Sequence, residues 1–195
     1  MSVMAKSKTG TFTLVERVNS STATAGRFAG AMDLGAYVDV GDQQAIAIES
    51  VDFVMQVYET DNDVWSGDIG GHTAADVTFD MQLSDLNPGT AILPADDNSL
   101  IAAGTLMYDD TNNISSLGPD LYPDNFGKLD ESRMVVNDSL YLVLDASQAA
   151  TANDQWACTV RVRCRIVKLS TKDWMAIAIQ STASDNGGAL SADSP

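Results

Sequence analysis

Apolar and polar residues alternate with a period of two along most of the chain, and this pattern predicts β-strands. Successive side chains of a strand face opposite sides, so one set is buried while the other meets solvent. The clearest segment runs from Gln155 to Lys168. Its predicted inner face is Cys158, Val160, Val162, Cys164 and Ile166, and its outer face is Thr159, Arg161, Arg163 and Arg165.

The same period predicts further strands and indicates an all-β protein. The segments that carry it are residues 11–18, 32–40, 51–57, 76–83 and 140–145. Residues 98–108 fit either a helix or a strand, and we favour a strand. Beyond the strand that ends at Lys168, a short helix is expected from residue 171 to about residue 181, because Ser170 can cap it and Asp173 lies in its first turn. The predicted fold is a single jelly roll or β-sandwich barrel with a short C-terminal helix.

Three long connections and two polar ends complete this outline of a single domain spanning residues 1–195. Residues 60–75, 85–99 and 109–132 are rich in Asp, Asn, Gly and Pro, and connections of this length are usually functional or held by a neighbour. Residues 1 to about 10 are expected to be an extended segment. The tail from about residue 184 to 195 is Gly, Ser, Ala and Asp, a composition that does not order by itself.

The charge of the chain is strongly negative, which narrows the classes of partner. Eleven basic residues against 27 acidic ones give a net charge of -16, and 23 of the acids are Asp. Such a surface suits a protein kept soluble in high salt, so we expect a halophilic source, with an ordinary acidic protein as the alternative. It also argues against direct, sequence-specific binding of nucleic acid. No signal peptide or transmembrane segment is predicted, because no apolar run is long enough.

Residues suited to catalysis are scarce. His72 is the single histidine, and one imidazole among many acids is no evidence for a catalytic triad, so we predict that the chain is not an enzyme. Cys158 and Cys164 lie in one predicted strand, where their spacing of about 20 Å far exceeds the ~7 Å that a disulfide allows. We therefore expect packed thiols.

A metal site or cofactor is not predicted either. Asp61 and Asp63 open a loop, but Ser66 and His72 stand where an EF-hand needs glycine and glutamate. A looser Ca²⁺ site remains an alternative to plain solvated loops, and its candidate ligands are Asp61, Asp63, Asp96, Asp97, Asp109, Asp110, Asp120 and Asp124.

Positive charge is concentrated at the end of the last strand and just beyond it. Arg161, Arg163 and Arg165, which we call the arginine stripe, are followed by Lys168 and Lys172, so 5 of the 11 basic residues fall within twelve positions. Two interpretations are open. The five can form a solvated face paired with local acids, or an interface with the acidic surface of a neighbouring copy, with anionic lipid or with a packaged genome.

Several stretches of the chain resemble a known viral family. They are the strand Ser-Leu-Tyr-Leu-Val-Leu-Asp at residues 139–145, the Ala-rich connection to Asn153, the strand at residues 160–167 and the Asp-rich surface. Together they are similar to the single jelly-roll major capsid proteins of icosahedral, internal-membrane viruses of halophilic archaea, the sphaerolipovirus type. The resemblance implies a capsid subunit located in the virion. It would assemble with itself or a second, related capsid protein above a membrane.

Two other functions stay open at this point. A carbohydrate-binding or adhesive β-sandwich would use exposed aromatic rings such as Trp65, Tyr108 and Tyr122. A minor capsid, spike or decoration protein would differ from a major capsid protein mainly in copy number.

Overall fold

The computed structural model describes residues 5–122 and 132–184, with side chains through residue 179. Within these ranges the strands are β1 (Lys6–Ser7), β2 (Phe12–Asn19), β3 (Gly26–Asp33), β4 (Gln44–Glu59), β5 (Val64–Ser66), β6 (Val77–Ser84), β7 (Leu100–Asp109), β8 (Ile114–Leu117), β9 (Arg133–Val135), β10 (Ser139–Ala146) and β11 (Gln155–Lys168). A short 3-10 helix occupies Gly70–His72, and the helix α1 occupies Thr171–Ser184.

The strands pair as one long antiparallel ribbon that is folded over itself. β2 pairs with β11, β3 with β10, β4 with β9 and β6 with β7. When the ribbon folds over, successive strand pairs enter different sheets. The pairs β2-β11 and β4-β9 lie in sheet A, in the order β2-β11-β4-β9, and the pairs β3-β10 and β6-β7 lie in sheet B, in the order β3-β10-β6-β7-β8. β1 and β5 pair with further parts of β11 and β4 in sheet A. This arrangement is a jelly roll, and the predicted all-β fold with a short C-terminal helix is confirmed.

Most predicted strands are confirmed, but the one placed at residues 32–40 is wrong. The strand is β3, which ends at Asp33, and its small residues give almost no apolar signal. Position 30 requires glycine for a steric reason, because a Cβ there would come within 2.6 Å of Val18 Cγ2. Beyond β3 the backbone turns, since the carboxylates of Asp33 and Asp39 accept hydrogen bonds from the backbone N–H of residues 35 and 41.

A β-bulge in β4 changes which residues of that strand face the core. Arg163 is opposite Ser50 and Cys164 is opposite Ile48, so Glu49 is an extra residue with no partner across the ladder. Before the bulge Ile46 and Ile48 point inward, and after it Val51 does. Because a bulge shifts the alternation by one position, it leaves Glu49 on the outer face.

The main core lies between the two sheets. Trp156 is fully buried, its ring meets Phe79 edge-on at 4.8 Å between centroids, and its indole N–H donates to the Gln148 carbonyl at 2.8 Å. Inward side chains of every long strand surround this pair. The core thus joins β11 of sheet A to β6 of sheet B through aromatic contact.

A second, smaller core lies outside sheet A, under α1. Trp174, Ile177 and Ala178 pack on a buried apolar set composed of Ala45, Ala47, Met134, Val136, Val167 and Leu169. The helix begins as the sequence predicts: Ser170 Oγ accepts from the Asp173 backbone N–H at 3.2 Å and donates to its carboxylate at 2.7 Å. α1 therefore covers part of the outer face of sheet A. Within residues 5–122 and 132–184 no helix is long and apolar enough to cross a membrane.

The connection at residues 85–99 is held by its own sheet. The Gln82 side chain accepts from the Leu93 backbone N–H at 2.7 Å and donates to the Leu93 carbonyl at 2.9 Å. Because Phe79, Met81 and Leu83 point into the core, Gln82 lies on the outer face of sheet B. This connection thus covers part of that face. The polar tail from residue 185 onward and residues 1–4 lie outside the described residues.

The central position of Trp156 can be tested by its replacement with alanine. We expect Trp156→Ala to lower the free energy of unfolding by about 3–5 kcal/mol, because it leaves a large cavity and an unpartnered Gln148 carbonyl. Trp65→Ala is the matched control, since Trp65 is 38% exposed. Urea unfolding followed by circular dichroism measures both. A loss from Trp65→Ala as large as that from Trp156→Ala would contradict this assignment.

Candidate assembly surface

The arginine stripe lies on the outer face of sheet A, as its spacing predicts. Cys158, Val160, Val162 and Cys164 point into the main core, which turns the intervening arginines outward. The three are not equivalent: Arg161 and Arg163 are exposed, whereas the side chain of Arg165 is only 20% exposed. Their neighbours in the sheet explain this difference.

Glu49, the extra residue of the β4 bulge, is the local partner of two of these arginines. Its carboxylate contacts Arg165 Nη2 and lies 3.6 Å from Arg163 Nε. The Thr11 hydroxyl lies 3.3 and 3.4 Å from the two carboxylate oxygens, and the Glu49 side chain is 7% exposed. A carboxylate this buried needs charged or hydrogen-bonding partners. Arg163 and Arg165 thus form an ion cluster with Glu49.

The two predicted lysines also have separate environments. Lys168 Nζ lies 3.8 Å from Asp42 Oδ1, and Asp42 Oδ2 accepts a hydrogen bond from Lys8 Nζ at 3.0 Å. The hydrogen bond from Lys8 is the largest cause that lowers the pKa of Asp42. Lys172 is exposed in the first turn of α1. The structure therefore does not gather all five predicted residues into one surface.

Arg161 instead belongs to a surface that sequence reasoning only partly found. Its neighbours across the sheet are Val15 on β2 and Asp52 on β4. Val15 is 55% exposed and Val54 39% exposed, and both belong to this outer face. Arg17, also outward on β2, stacks on Trp65 with 4.5 Å between the guanidinium carbon and the ring centroid. We call Arg17, Arg161, Val15 and Val54 the arginine–valine patch.

The signal for the two valines was present in the sequence but was weak. Val15 stands where the alternation of residues 11–18 calls for a polar residue, and Val54 interrupts the polar face of residues 51–57. A single apolar residue on a solvent face is ordinary. It becomes informative once strand pairing brings it beside another one.

His72 lies in a cluster that the sequence did not reveal. Its Nδ1 is 2.8 Å from Asp154 and its Nε2 is 3.5 Å from Glu59. Glu59 is the last residue of β4, His72 belongs to the 3-10 helix between β5 and β6, and Asp154 lies in the connection before β11. The His72 carbonyl also accepts from the Thr151 backbone N–H at 2.8 Å. Because both ring nitrogens face carboxylates, neither is left to activate a nucleophile. The cluster holds loops together.

Three of the candidate calcium ligands accept hydrogen bonds from protein groups. Asp97 accepts from the backbone N–H and hydroxyl of Ser99, and Asp109 accepts from Asn112. Asp61 accepts from Asn153. Within residues 5–122 and 132–184, no group of three or more His, Cys, Asp or Glu side chains is arranged to hold a metal ion. Asp124 lies outside the described residues.

The three aromatic residues considered for carbohydrate binding do not form a common platform. Tyr108 is 6% exposed and donates its hydroxyl to Asn113. The Trp65 ring is contacted by Arg17 and lies 4.7 Å from the Tyr58 ring. Tyr122 packs near Phe53, with 6.0 Å between centroids. An open stacking face shared by these residues is therefore missing.

Cys158 and Cys164 are free and buried, as expected. Burial raises the pKa of both thiols from 9.0 to about 12. Since the thiolate is the reactive form, we expect both to resist Ellman's reagent at about pH 8 in the folded protein and to react once urea unfolds it. The unfolded chain loses these protons first, so stability should also fall as the pH rises from about 9 towards 12. Rapid labelling of the folded protein would contradict this burial.

The distinct roles of the arginines can be separated by mutation. We expect Arg165→Met to lower the free energy of unfolding by about 2 kcal/mol, because it removes the closest cation from a buried carboxylate. Arg161→Met, the matched control, should change it by less than about 0.5 kcal/mol, since Arg161 is exposed. Urea unfolding measures both. Equal effects would show that Glu49 does not depend on Arg165.

No protein-family model matches the chain, and no curated protein matches its sequence. Among solved structures it is similar to VP1 of KI polyomavirus, described as an unassembled pentamer, with a TM-score of 0.47 and 10% identity over 88% of this chain and 100% of that chain. VP1 of Merkel cell polyomavirus has a TM-score of 0.40 and 9% identity, over 86% and 99% of the two chains. Desmodium yellow mottle tymovirus has a TM-score of 0.36 and 6% identity, over 83% and 89%. The jelly-roll assignment comes from the strand order of this chain itself.

Proposed function

We propose that this chain is a structural virion protein, a single jelly-roll capsid subunit that assembles with copies of itself or with a related capsid protein into an icosahedral shell. The observation that carries the proposal is the arginine–valine patch on the outer face of a jelly roll. On a chain of net charge -16, exposed arginines beside exposed valines provide a surface that an acidic partner can bind. Jelly rolls are a common architecture of capsid subunits.

The balance of charge explains why such a surface would matter for assembly. Identical copies with a net charge of -16 repel one another unless cations face acids where they meet. High salt screens the remaining repulsion and strengthens apolar contacts. The Asp-rich surface supports a finer form of the proposal, in which the virus infects a halophilic archaeon and the protein is located in its virion.

Contact with an internal membrane is the second part of this finer form. α1 exposes Met175 and Ile179, which are 54% and 65% exposed, and Lys172 lies one turn before Met175. A cation beside apolar side chains suits an anionic lipid surface.

The proposal does not include catalysis. Both nitrogens of His72 face carboxylates, and both cysteines are buried thiols with a raised pKa. The groups best suited to act as a base or a nucleophile thus support structural roles.

Electron microscopy and sedimentation velocity of the purified full chain test the proposal. We expect rings or sheets in about 1 M NaCl, where the Debye screening length for charge repulsion is ~3 Å. Val15→Asp should leave the chain folded and abolish these assemblies, because Val15 is exposed and lies in the patch. Val40→Asp is the matched control: Val40 is 64% exposed but lies in the turn after β3.

A chain that stays monomeric at every salt concentration and binds a glycan array would overturn the capsid proposal. Copy number in purified particles distinguishes a major capsid protein from a minor, spike or decoration protein.

A further inference from the structure

The outer face of sheet B is partly covered, like that of sheet A, and its uncovered part is acidic. The connection at residues 85–99 is hydrogen-bonded to the Gln82 side chain on this face. Farther along β6 and β7, Asp80, Met107 and Asp109 point outward, because Phe79, Leu106 and Tyr108 face the core. Ile114 lies opposite Asp109 on β8. We call Asp80, Asp109, Met107 and Ile114 the acidic strip.

The carboxylates of the acidic strip are held by neutral groups. Asp80 accepts from the Thr105 hydroxyl at 2.7 Å, and Asp109 accepts from Asn112 at 2.7 and 3.0 Å. Their neighbour Asp145 is paired with Arg27 at 2.8 Å. The strip therefore keeps two negative charges, while Met107 and Ile114 are 39% and 55% exposed.

The outer face of sheet A has the opposite balance of charge. Arg17, Arg161, Arg163 and Arg165 lie there against Glu49 and Asp52, which leaves an excess of two positive charges (4 − 2). Val15 and Val54 give this face an exposed apolar pair, just as Met107 and Ile114 do for the strip. The two surfaces therefore match in charge and in apolar content.

The two surfaces share no residue and lie on the outer sides of opposite sheets. A contact between them must join different surfaces of two copies, which makes it heterologous. Such head-to-tail contacts produce closed rings when the rotation between copies closes, and open filaments when it does not. A contact of the arginine–valine patch with itself would instead bring four arginines together against two copies of Asp52, the exposed neighbour of Arg161, and would leave an excess of like charge.

We propose that the arginine–valine patch binds the acidic strip of a second copy of this chain, so that copies assemble head to tail. This inference rests on the proposed function, because it takes self-assembly as given and names the two surfaces that meet. It commits the patch to one occupant, a second copy, rather than to lipid or nucleic acid.

Charge reversal on each surface tests the inference. Arg161→Glu makes the patch acidic, and Asp80→Lys makes the strip basic, so in each variant the two surfaces would repel. We expect each variant alone to associate about tenfold or more weakly than the original chain, as measured by sedimentation velocity in about 0.5 M NaCl. Asp138→Lys is the matched control, because Asp138 is an exposed acid in the turn before β10.

Mixing the two variants is the decisive step. In an equimolar mixture the acidic patch of one variant faces the basic strip of the other, and the unchanged patch faces the unchanged strip. We therefore expect association to return to within about threefold of the original chain. Circular dichroism and urea unfolding of each variant verify that the chains are folded.

Each outcome separates the two proposals. If the original chain assembles and Asp80→Lys assembles equally well, the strip is not the partner and the inference fails, while the capsid proposal stands. If folded variants fail alone and also fail together, the pairing of these surfaces is likewise wrong. If the original chain never self-assembles, the inference fails, and the capsid proposal keeps only the form in which a related capsid protein is the partner.

Discussion

The pairing of β11 with β4 is the contact on which the rest of the structure depends. The two strands are hydrogen-bonded along the whole of β11, from Gln155 opposite Tyr58 to Lys168 opposite Gln44. The inner face of this pair supplies much of the main core, including Trp156. Its outer face carries both the small core beneath α1 and the arginines. Two strands at the centre of one sheet thus support all the layers of the molecule.

The bulge at Glu49 determines what those arginines can do. By adding one residue to β4, it places a carboxylate beside Arg163 and Arg165 on the outer face of sheet A. The cluster satisfies a buried acid and adds one net positive charge to the outer face of sheet A. Arg161, which lies two residues before Arg163 on β11, is left beside exposed valines.

The outer faces of both sheets are each covered in part by the chain itself. α1 packs on part of sheet A, and the connection at residues 85–99 is hydrogen-bonded to sheet B through Gln82. What remains open on the two sheets differs in charge, basic on one side and acidic on the other. Intramolecular packing thus leaves two uncovered surfaces that are complementary to each other rather than alike.

The sequence by itself determined the strands whose two faces differ sharply in polarity. The alternation of polarity predicted the bounds of β11, Gln155–Lys168, and the capping pair Ser170–Asp173 predicted the start of α1, because both signals are local. β3 was misplaced because its glycines and alanines have no polarity contrast. The stripe Arg161, Arg163 and Arg165 was also readable, since alternation alone puts these side chains on one face.

Only the tertiary structure decided which of these arginines have partners and which side chains join them. Glu49 and Arg165 are 116 positions apart in the sequence, and Asp52 and Arg161 are 109 positions apart. Pairing between such distant residues depends on strand register. A one-residue bulge changes that register without any clear sequence signal. The meeting of His72 with Glu59 and Asp154, and of Val15 with Arg161, likewise required the folded ribbon, because no local pattern records which strands become neighbours.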